Sequence, residues 1–181
     1  MAPKRYSPAD DKTLYFWAAA RITLGATFLW AFFDKLLGLG FATCRDAKTD
    51  AVNMFCEAAW INGGSPTTGF LRFAAKGPME SFYQSLAGNT FVDLLFMTGL
   101  LLIGIALIAG IGMKLATISG VLLLMMMWSS LLLPQNNPLI DEHIVYAIVL
   151  LGLLASNTRQ KWGLRTWWIK QPLVKRFPIL E

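Results

Sequence analysis

The sequence is almost without histidine: its 181 residues contain one, His143. A haem held by two histidines of this chain is therefore excluded. Cysteine is nearly as scarce, with only Cys44 and Cys56, and their spacing is not CxxC. No glycine-rich nucleotide loop and no Walker pattern occur. Charge is thin as well: 15% of residues are Asp, Glu, Lys or Arg, against 55% hydrophobic. No inverted repeat is visible, which argues against a small-molecule carrier. No bound metal or nucleotide is expected. Any redox cofactor would have to be a diffusible quinone or belong to a partner.

What is present instead is a set of long apolar runs. Residues 14–33 hold one charge, residues 92–111 hold one, and residues 115–133 hold none. Runs this long and this clean read as membrane-spanning helices rather than as helices of a soluble core. A fourth helix is expected at 138–155, whose 18 residues reach roughly 27 Å at about 1.5 Å per residue. A hydrocarbon core of roughly 30 Å needs about that length. The segment is too short without Asp141, Glu142 and His143, so these three are expected inside the membrane or at its edge. Ionisable groups there are expensive, and mark a functional site by default. The first 12 residues are polar and the run after them is too long for an h-region, so no signal peptide is expected.

Basic residues set the orientation. Lys4, Arg5 and Lys12 precede the first helix, and Lys114 sits in the turn between the second and third. Arg159, Lys161, Arg165, Lys170, Lys175 and Arg176 follow the fourth, while the loop between the third and fourth has no Lys or Arg. An excess of Lys and Arg marks the cytoplasmic side, so four spans with both termini in the cytoplasm satisfy every segment. The expected architecture is an all-α integral membrane protein of the plasma membrane. It is a four-helix transmembrane bundle with short amphipathic helices in the long outer loop between the first two helices. Its parts are a cytoplasmic segment 1–13, a membrane domain 14–158 that includes the outer loop 38–89, and a basic, tryptophan-rich cytoplasmic tail 159–181. The tail reads as a lipid-headgroup signal, and no nucleic-acid partner is expected. Oligomerisation with further copies stays open.

The outer loop is too long to be structureless. Ser65-Pro66 reads as an N-cap and first helical position, and Gly77 stops that helix. Pro78 restarts the chain, and Met79, Phe82, Tyr83 and Leu86 keep a helical spacing before Gly88 closes it. Two such helices are too brief to span, and are expected to lie over the bundle. A further short helix is expected somewhere in 44–60. The loop faces outward in this topology, where disulfides persist, and two cysteines allow one pairing. A Cys44–Cys56 disulfide, free thiols and an exchanging redox pair all remain open at this stage.

The polar residues of the runs carry the functional expectation. Arg21, Gly25, Phe28, Phe32 and Lys35 share one face of the first helix. Arg21 either snorkels to the interface or faces the bundle and pairs with a carboxylate or polar ligand. Gly25 allows another backbone or a ligand to come close. Asp34 reads as an ordinary interfacial helix end, and Lys35 as that or as part of an outer mouth. Asp34, Lys35, Asp93, Asp141, Glu142 and His143 all fall at one membrane level. Asn137 can cap the fourth helix, Pro138 fits its first position, and acids in a first turn suit the dipole. Asp93 has the same excuse. His143 does not, and a neutral histidine there would act as hydrogen-bond donor and acceptor, or as a proton relay with Glu142 or Asp141. The three together are a weak metal pattern, since adjacent helical residues diverge by about 100°. Met125 to Met127 and Trp128 read as adaptable packing or as a soft surface for a quinone or lipid.

Two stretches stand out, Trp60-Ile-Asn-Gly-Gly-Ser-Pro-Thr-Thr-Gly-Phe-Leu71 with its continuation to Gly88, and Asn136-Asn-Pro-Leu-Ile-Asp-Glu-His143. They resemble the DoxX family of small membrane proteins, which includes the DoxD-type subunit of thiosulfate:quinone oxidoreductase. Arg21-x-x-x-Gly25 and Lys35 belong to the same pattern, and the likeness covers about residues 14–170. The resemblance implies a four-helix membrane bundle and electron transfer to quinone, or work beside a second redox subunit. It carries over to Arg21, Gly25, Lys35, Asn137, Pro138 and Asp141.

The expected activity is therefore that of a membrane oxidoreductase component passing electrons from a small sulfur reductant, or a partner protein, to quinone. The alternative is a non-catalytic scaffold for a soluble redox protein. Arg21 or Lys35 would stabilise anionic charge, and His143 with Asp141 or Glu142 would move protons. Gly25, Asp93 and Trp128 would line the substrate.

Overall fold

The structure is a computed structural model and describes residues 8–46, 48–134, 137–156 and 160–181, with side chains from Lys12 onward. Readings that rest on Lys4, Arg5, Asn136 and Arg159, and on most of the 1–13 segment, lie outside these residues. Among the described residues all regular structure is helical, apart from two isolated bridges, Arg45 with Val52 and Lys76 with Leu131. The long helices are α1 (Pro8–Leu37), α4 (Thr90–Ala109), α5 (Met113–Ser130) and α6 (Glu142–Ala155). The short ones are α2 (Thr68–Phe73) and α3 (Glu80–Ser85) in the long loop, and α7 (Arg165–Trp168) and α8 (Pro172–Arg176) in the tail. The described residues of 44–60 hold no α-helix; a 3-10 turn follows at Trp60–Asn62.

Local chemistry explains where these helices begin and end. The Asn89 side chain accepts the backbone N–H groups of Phe91 and Val92 at 2.9 and 3.4 Å, meeting two donors that α4 leaves unpaired. Gly110, at φ 68°, closes its far end in the left-handed region, and Gly112 at φ 56° turns the chain directly into α5. The four long helices then pack in a ring: α1 on α4, α4 on α5, α5 on α6, and α6 back on α1. Leu24, Phe28 and Phe32 of α1 meet Met97, Leu100, Ile103 and Leu107 of α4 in the core, closed by Leu124, Leu150 and Leu153.

The outward faces are apolar too. Leu95, Leu102, Ile118, Leu122, Ile148 and Leu151 are each more than half exposed. Helices hydrophobic all round suit a lipid environment rather than water. α1, α4 and α5 are long and apolar enough to cross a membrane.

α6 differs from the sequence expectation. It starts at Glu142 rather than at 138 and has 14 residues, roughly 21 Å, which is shorter than the other three. Asn137 does not cap it. Its Oδ1 accepts the N–H groups of Leu139 and Ile140, both at 2.9 Å, which closes a local turn instead. The Leu139 carbonyl is then taken by Trp128 Nε1 at 2.8 Å, pulling the segment toward α5. Asp141, in extended backbone, is the real cap.

The tail folds back onto the α4–α5 turn rather than hanging free. Lys114 Nζ donates to the Pro178 carbonyl at 3.0 Å and pairs with Glu181 at 3.3 Å. Leu164 N–H donates to the Ala109 carbonyl at 2.8 Å, and Trp168 Nε1 to the Leu180 carbonyl at 2.5 Å. Trp162 and Trp167 stay exposed, as anchors at an interface would.

α1 and α4 approach closely where each presents a glycine to the other. A Cβ on Gly25 would lie 2.9 Å from Leu107 Cβ and 3.0 Å from the Gly104 carbonyl, and one on Gly104 would lie 2.7 Å from Leu29 Cγ. The close approach that Gly25 permits is therefore to another helix. Replacing Gly104 with Leu should destabilise the protein by about 1–3 kcal/mol through overpacking, read as a lower unfolding transition in detergent micelles. An unchanged transition would show that the α1–α4 contact is looser than described.

Candidate functional site

Each end of the bundle handles its buried charge differently. At the tail end Arg21 is 1% exposed. Its guanidinium donates to the carbonyls of Leu107, of Ile108 at 2.9 Å, of Lys161 at 3.2 Å and of Trp162 at 2.8 Å. Arg21 neither snorkels nor meets a carboxylate. It caps the last carbonyls of α4, where a cation complements the helix dipole, and ties the tail to them. The space beside it, about 10 Å³ between Trp17, Leu153 and Ser156, holds no more than a water.

At the loop end Asp34 does the corresponding work with opposite sign. It is 1% exposed, and its carboxylate accepts the N–H groups of Phe41 at 3.0 Å, Ala42 at 2.9 Å and Thr43 at 3.1 Å. It is thus more than an interfacial end, because it shapes the loop that leads to Cys44. An acid in the last turn of a helix gains nothing from the dipole, and that mismatch was the sequence signal for donors brought from elsewhere. Cys44 and Cys56 form a disulfide with a Cα–Cα distance of 5.7 Å. Within the closed loop, the Asp46 carboxyl is held below the usual carboxylate range by the Thr49 N–H, then by the Lys48 N–H and the Thr49 hydroxyl.

Asp93 fastens a roof. Its Oδ1 accepts the Ser65 hydroxyl at 2.9 Å, the Thr67 hydroxyl at 2.6 Å and the Thr67 N–H at 3.2 Å. Ser65 Oγ also accepts the Thr68 N–H at 3.2 Å, so Ser65 caps α2 although the helix proper starts at Thr68. Leu71, Ala75 and Tyr83 form a small core between α2 and α3, with Phe70, Leu86 and Val92 against it. Tyr83 hydrogen bonds to Ser129 at 2.6 Å, and Lys76 N–H donates to the Ser130 carbonyl at 2.9 Å. The short loop helices therefore cover the α4–α5 side of the bundle, pinned to both.

His143 is 7% exposed, and its Nδ1 lies 2.8 Å from Asp141 Oδ2. A carboxylate only accepts, so Nδ1 carries the proton in this contact. The other oxygen, Oδ1, accepts the N–H groups of His143 and Ile144 at 3.0 and 3.4 Å. One carboxylate thus caps α6 and orients the imidazole. Glu142 is exposed. Ligand atoms of Asp141, Glu142 and His143 come within 4.8 Å of one another, but both oxygens of Asp141 are already engaged.

Under the roof lies a cavity of about 550 Å³. Its walls are Phe96, Gly99 and Ile103 of α4, Leu123, Met126 and Met127 of α5, and Phe70 and Leu71 of the roof. Leu95 of α4 and Leu122 and Met126 of α5 are exposed members of its lining, as are Ala42 and Ala58 of the loop, so it reaches the surface along the two helices and under the loop. Ser65, Thr67 and Ser130 bring hydroxyls to it, each already donating elsewhere. Lys35 is the one ammonium or guanidinium on its wall among the described residues. Its Nζ sits 5.9 Å from the centre of the Phe96 ring, and no described residue offers it a hydrogen-bond acceptor. Cys44 lines the same cavity.

The sequence placed six ionisable residues at one level, and five of them are not on this wall. Asp93 holds the roof from behind, Asp34 shapes the loop, and Asp141, Glu142 and His143 sit at the α6 start. Trp128 and Gly25, read as substrate contacts, serve a loop tether and a helix crossing. The aromatic and methionine walls were largely unmarked in the sequence, although the run Met125 to Met127 did hint at a soft surface. Comparison with protein-family models, with curated proteins and with solved structures finds no match to this chain.

Replacing Asp93 with Ala leaves the Thr67 N–H and two hydroxyls without their acceptor. The cost should be about 1–3 kcal/mol, with faster hydrogen exchange at Thr67 to Leu71. Wild-type protection of those amides in the variant would mean that the roof is held by something else.

Proposed function

We propose that this chain is a DoxX-like, quinone-linked membrane oxidoreductase component, with the cavity beside Lys35 as its quinone site. The observation that carries the reading is Lys35 itself: an ammonium without a hydrogen-bond acceptor among the described residues, on the wall of a largely apolar chamber whose lining includes exposed residues of α4 and α5. Such a site suits an amphiphile whose ring bears carbonyl oxygens and whose tail is hydrocarbon. Aromatic and methionine walls accept the face of a ring. The exposed lining along α4 and α5 leaves room for an isoprenoid tail.

The residues present fit the chemistry. Lys35 would donate to a ring carbonyl and stabilise negative charge as electrons arrive there. It would also supply a proton to that oxygen. Quinone contributes the capacity to accept two electrons and two protons. With basic segments at the tail end and the disulfide at the loop end, the cavity would lie toward the outer face of the plasma membrane. The electrons would come from a small sulfur reductant or from a partner redox protein. His143, oriented by Asp141, stands at the same end as a paired acid and base.

A short-chain benzoquinone should quench tryptophan fluorescence and raise the unfolding temperature of the detergent-purified protein. Lys35→Met should weaken that binding roughly tenfold or more, as losing a charged hydrogen-bond donor would. Gly99→Leu, which fills the chamber, should abolish it. A quinone that neither quenches nor stabilises would overturn the reading.

A further inference from the structure

We infer that the Cys44–Cys56 disulfide is the redox-active group of this protein, relaying two electrons from an external thiol to the quinone site. The inference rests on the quinone reading above and adds the electron donor to it.

Three observations support it. The first is position. Cys44 lines the cavity that Lys35 lines. Its Sγ lies against Gly38, where an added Cβ would come within 2.4 Å of the sulfur. Gly38 directly follows the last residue of α1, so the Cys44 sulfur packs from the loop against the end of the helix that carries Lys35. The second is access. Both cysteines are only half-buried, and they stand in the loop rather than among the packed helices. A thiolate arriving from water can therefore reach the pair, as exchange requires.

The third is that the loop has its own hydrogen bonds, independent of the S–S bond. Asp34 clamps residues 41–43. Asn53 N–H donates to the Cys44 carbonyl at 3.0 Å, and Phe55 N–H to the Gly38 carbonyl at 3.0 Å. Asn62 Nδ2 donates to the carbonyls of Phe55 at 2.8 Å and Cys56 at 3.1 Å. After reduction these bonds would keep the two thiols adjacent, so the pair can close again without refolding the loop. A disulfide serving only as a staple would find its task already done.

The reaction balances in two halves. An external dithiol opens the bond by thiolate attack: the Cys44–Cys56 S–S bond breaks, the donor's own S–S bond forms, and Cys44 and Cys56 leave as thiols. In the second half the two S–H bonds break and the S–S bond re-forms. The two electrons and two protons released pass to quinone, giving quinol. Lys35 sits where the negative charge arrives.

The test uses the full chain in detergent. The protein is reduced with a phosphine, freed of reductant and kept anaerobic. It is then mixed with a fully ring-substituted benzoquinone, which offers no free position for direct thiol addition. Thiols are counted by the mass shift of maleimide alkylation, beside quinol absorbance. The expected result is loss of two alkylatable thiols per quinol formed, slowed at least tenfold by Lys35→Met and by Gly99→Leu. Cys44→Ser and Cys56→Ser should each abolish the reaction, and Cys56→Ser, which lies off the cavity wall, should retain quinone-induced tryptophan quenching, which shows that this variant folds. If quinone binds but the thiols persist, the inference fails and the quinone site stands. If quinone does not bind, both fail. Oxidation at equal rates in wild type and in Lys35→Met would also overturn the inference, since the cavity would then play no part.

Discussion

A charge held against apolar surroundings must be met by groups that are themselves short of partners. In this protein those groups are mainly backbone, and the rest of the structure follows from that constraint. Arg21 takes the free carbonyls at the end of α4 and brings two tail carbonyls with them. Asp34 takes three free amides and so shapes the first turn of the loop. Asp141 takes the first amides of α6. Asp93 is the variant, using two hydroxyls and one amide. Each costly charge is thereby converted into a fastening between elements distant in sequence. Lys35, at the centre of the proposed site, has no such use.

That contrast explains how function separates from architecture here. Asp34 and Lys35 are consecutive, and their side chains diverge by about 100° on the helix. One turns into the loop and is saturated; the other turns onto the cavity wall and is not. Fastening and the proposed chemistry are thus divided between neighbours. The roof is fastened to both α4 and α5, through Asp93, Ser129 and Ser130.

Long apolar runs and glycine stops made three helices, the tight α4–α5 turn and the two roof helices legible in the sequence, because these depend on composition over a few turns. The start of α6 was not legible. Asn137 and Asp141 are both good caps, and the choice between them depended on Trp128 seizing the Leu139 carbonyl across space. The same limit governs the site. Sequence could place Lys35, Asp93 and Asp141 at one level but not on one wall, because which side chains are consumed by backbone donors is decided by the loop's path. The Cys44–Cys56 pairing was one of three open readings, and only folding brings the two residues together. Arg21 shows the reverse failure: the sequence offered snorkelling or a carboxylate or polar ligand, while its two terminal nitrogens donate to four carbonyls.

The exposure of the cavity along α4 and α5 carries a consequence of its own. With α4 and α5 in a bilayer, a ligand entering past the exposed Leu95 and Leu122 would come from the membrane plane, not from bulk water. Its supply is then counted per unit area and explored by two-dimensional diffusion, and its hydrocarbon tail need never be dehydrated on entry. Selection at such a mouth depends on how well a headgroup leaves its lipid neighbours, so a molecule that is scarce in solution can still keep the cavity filled.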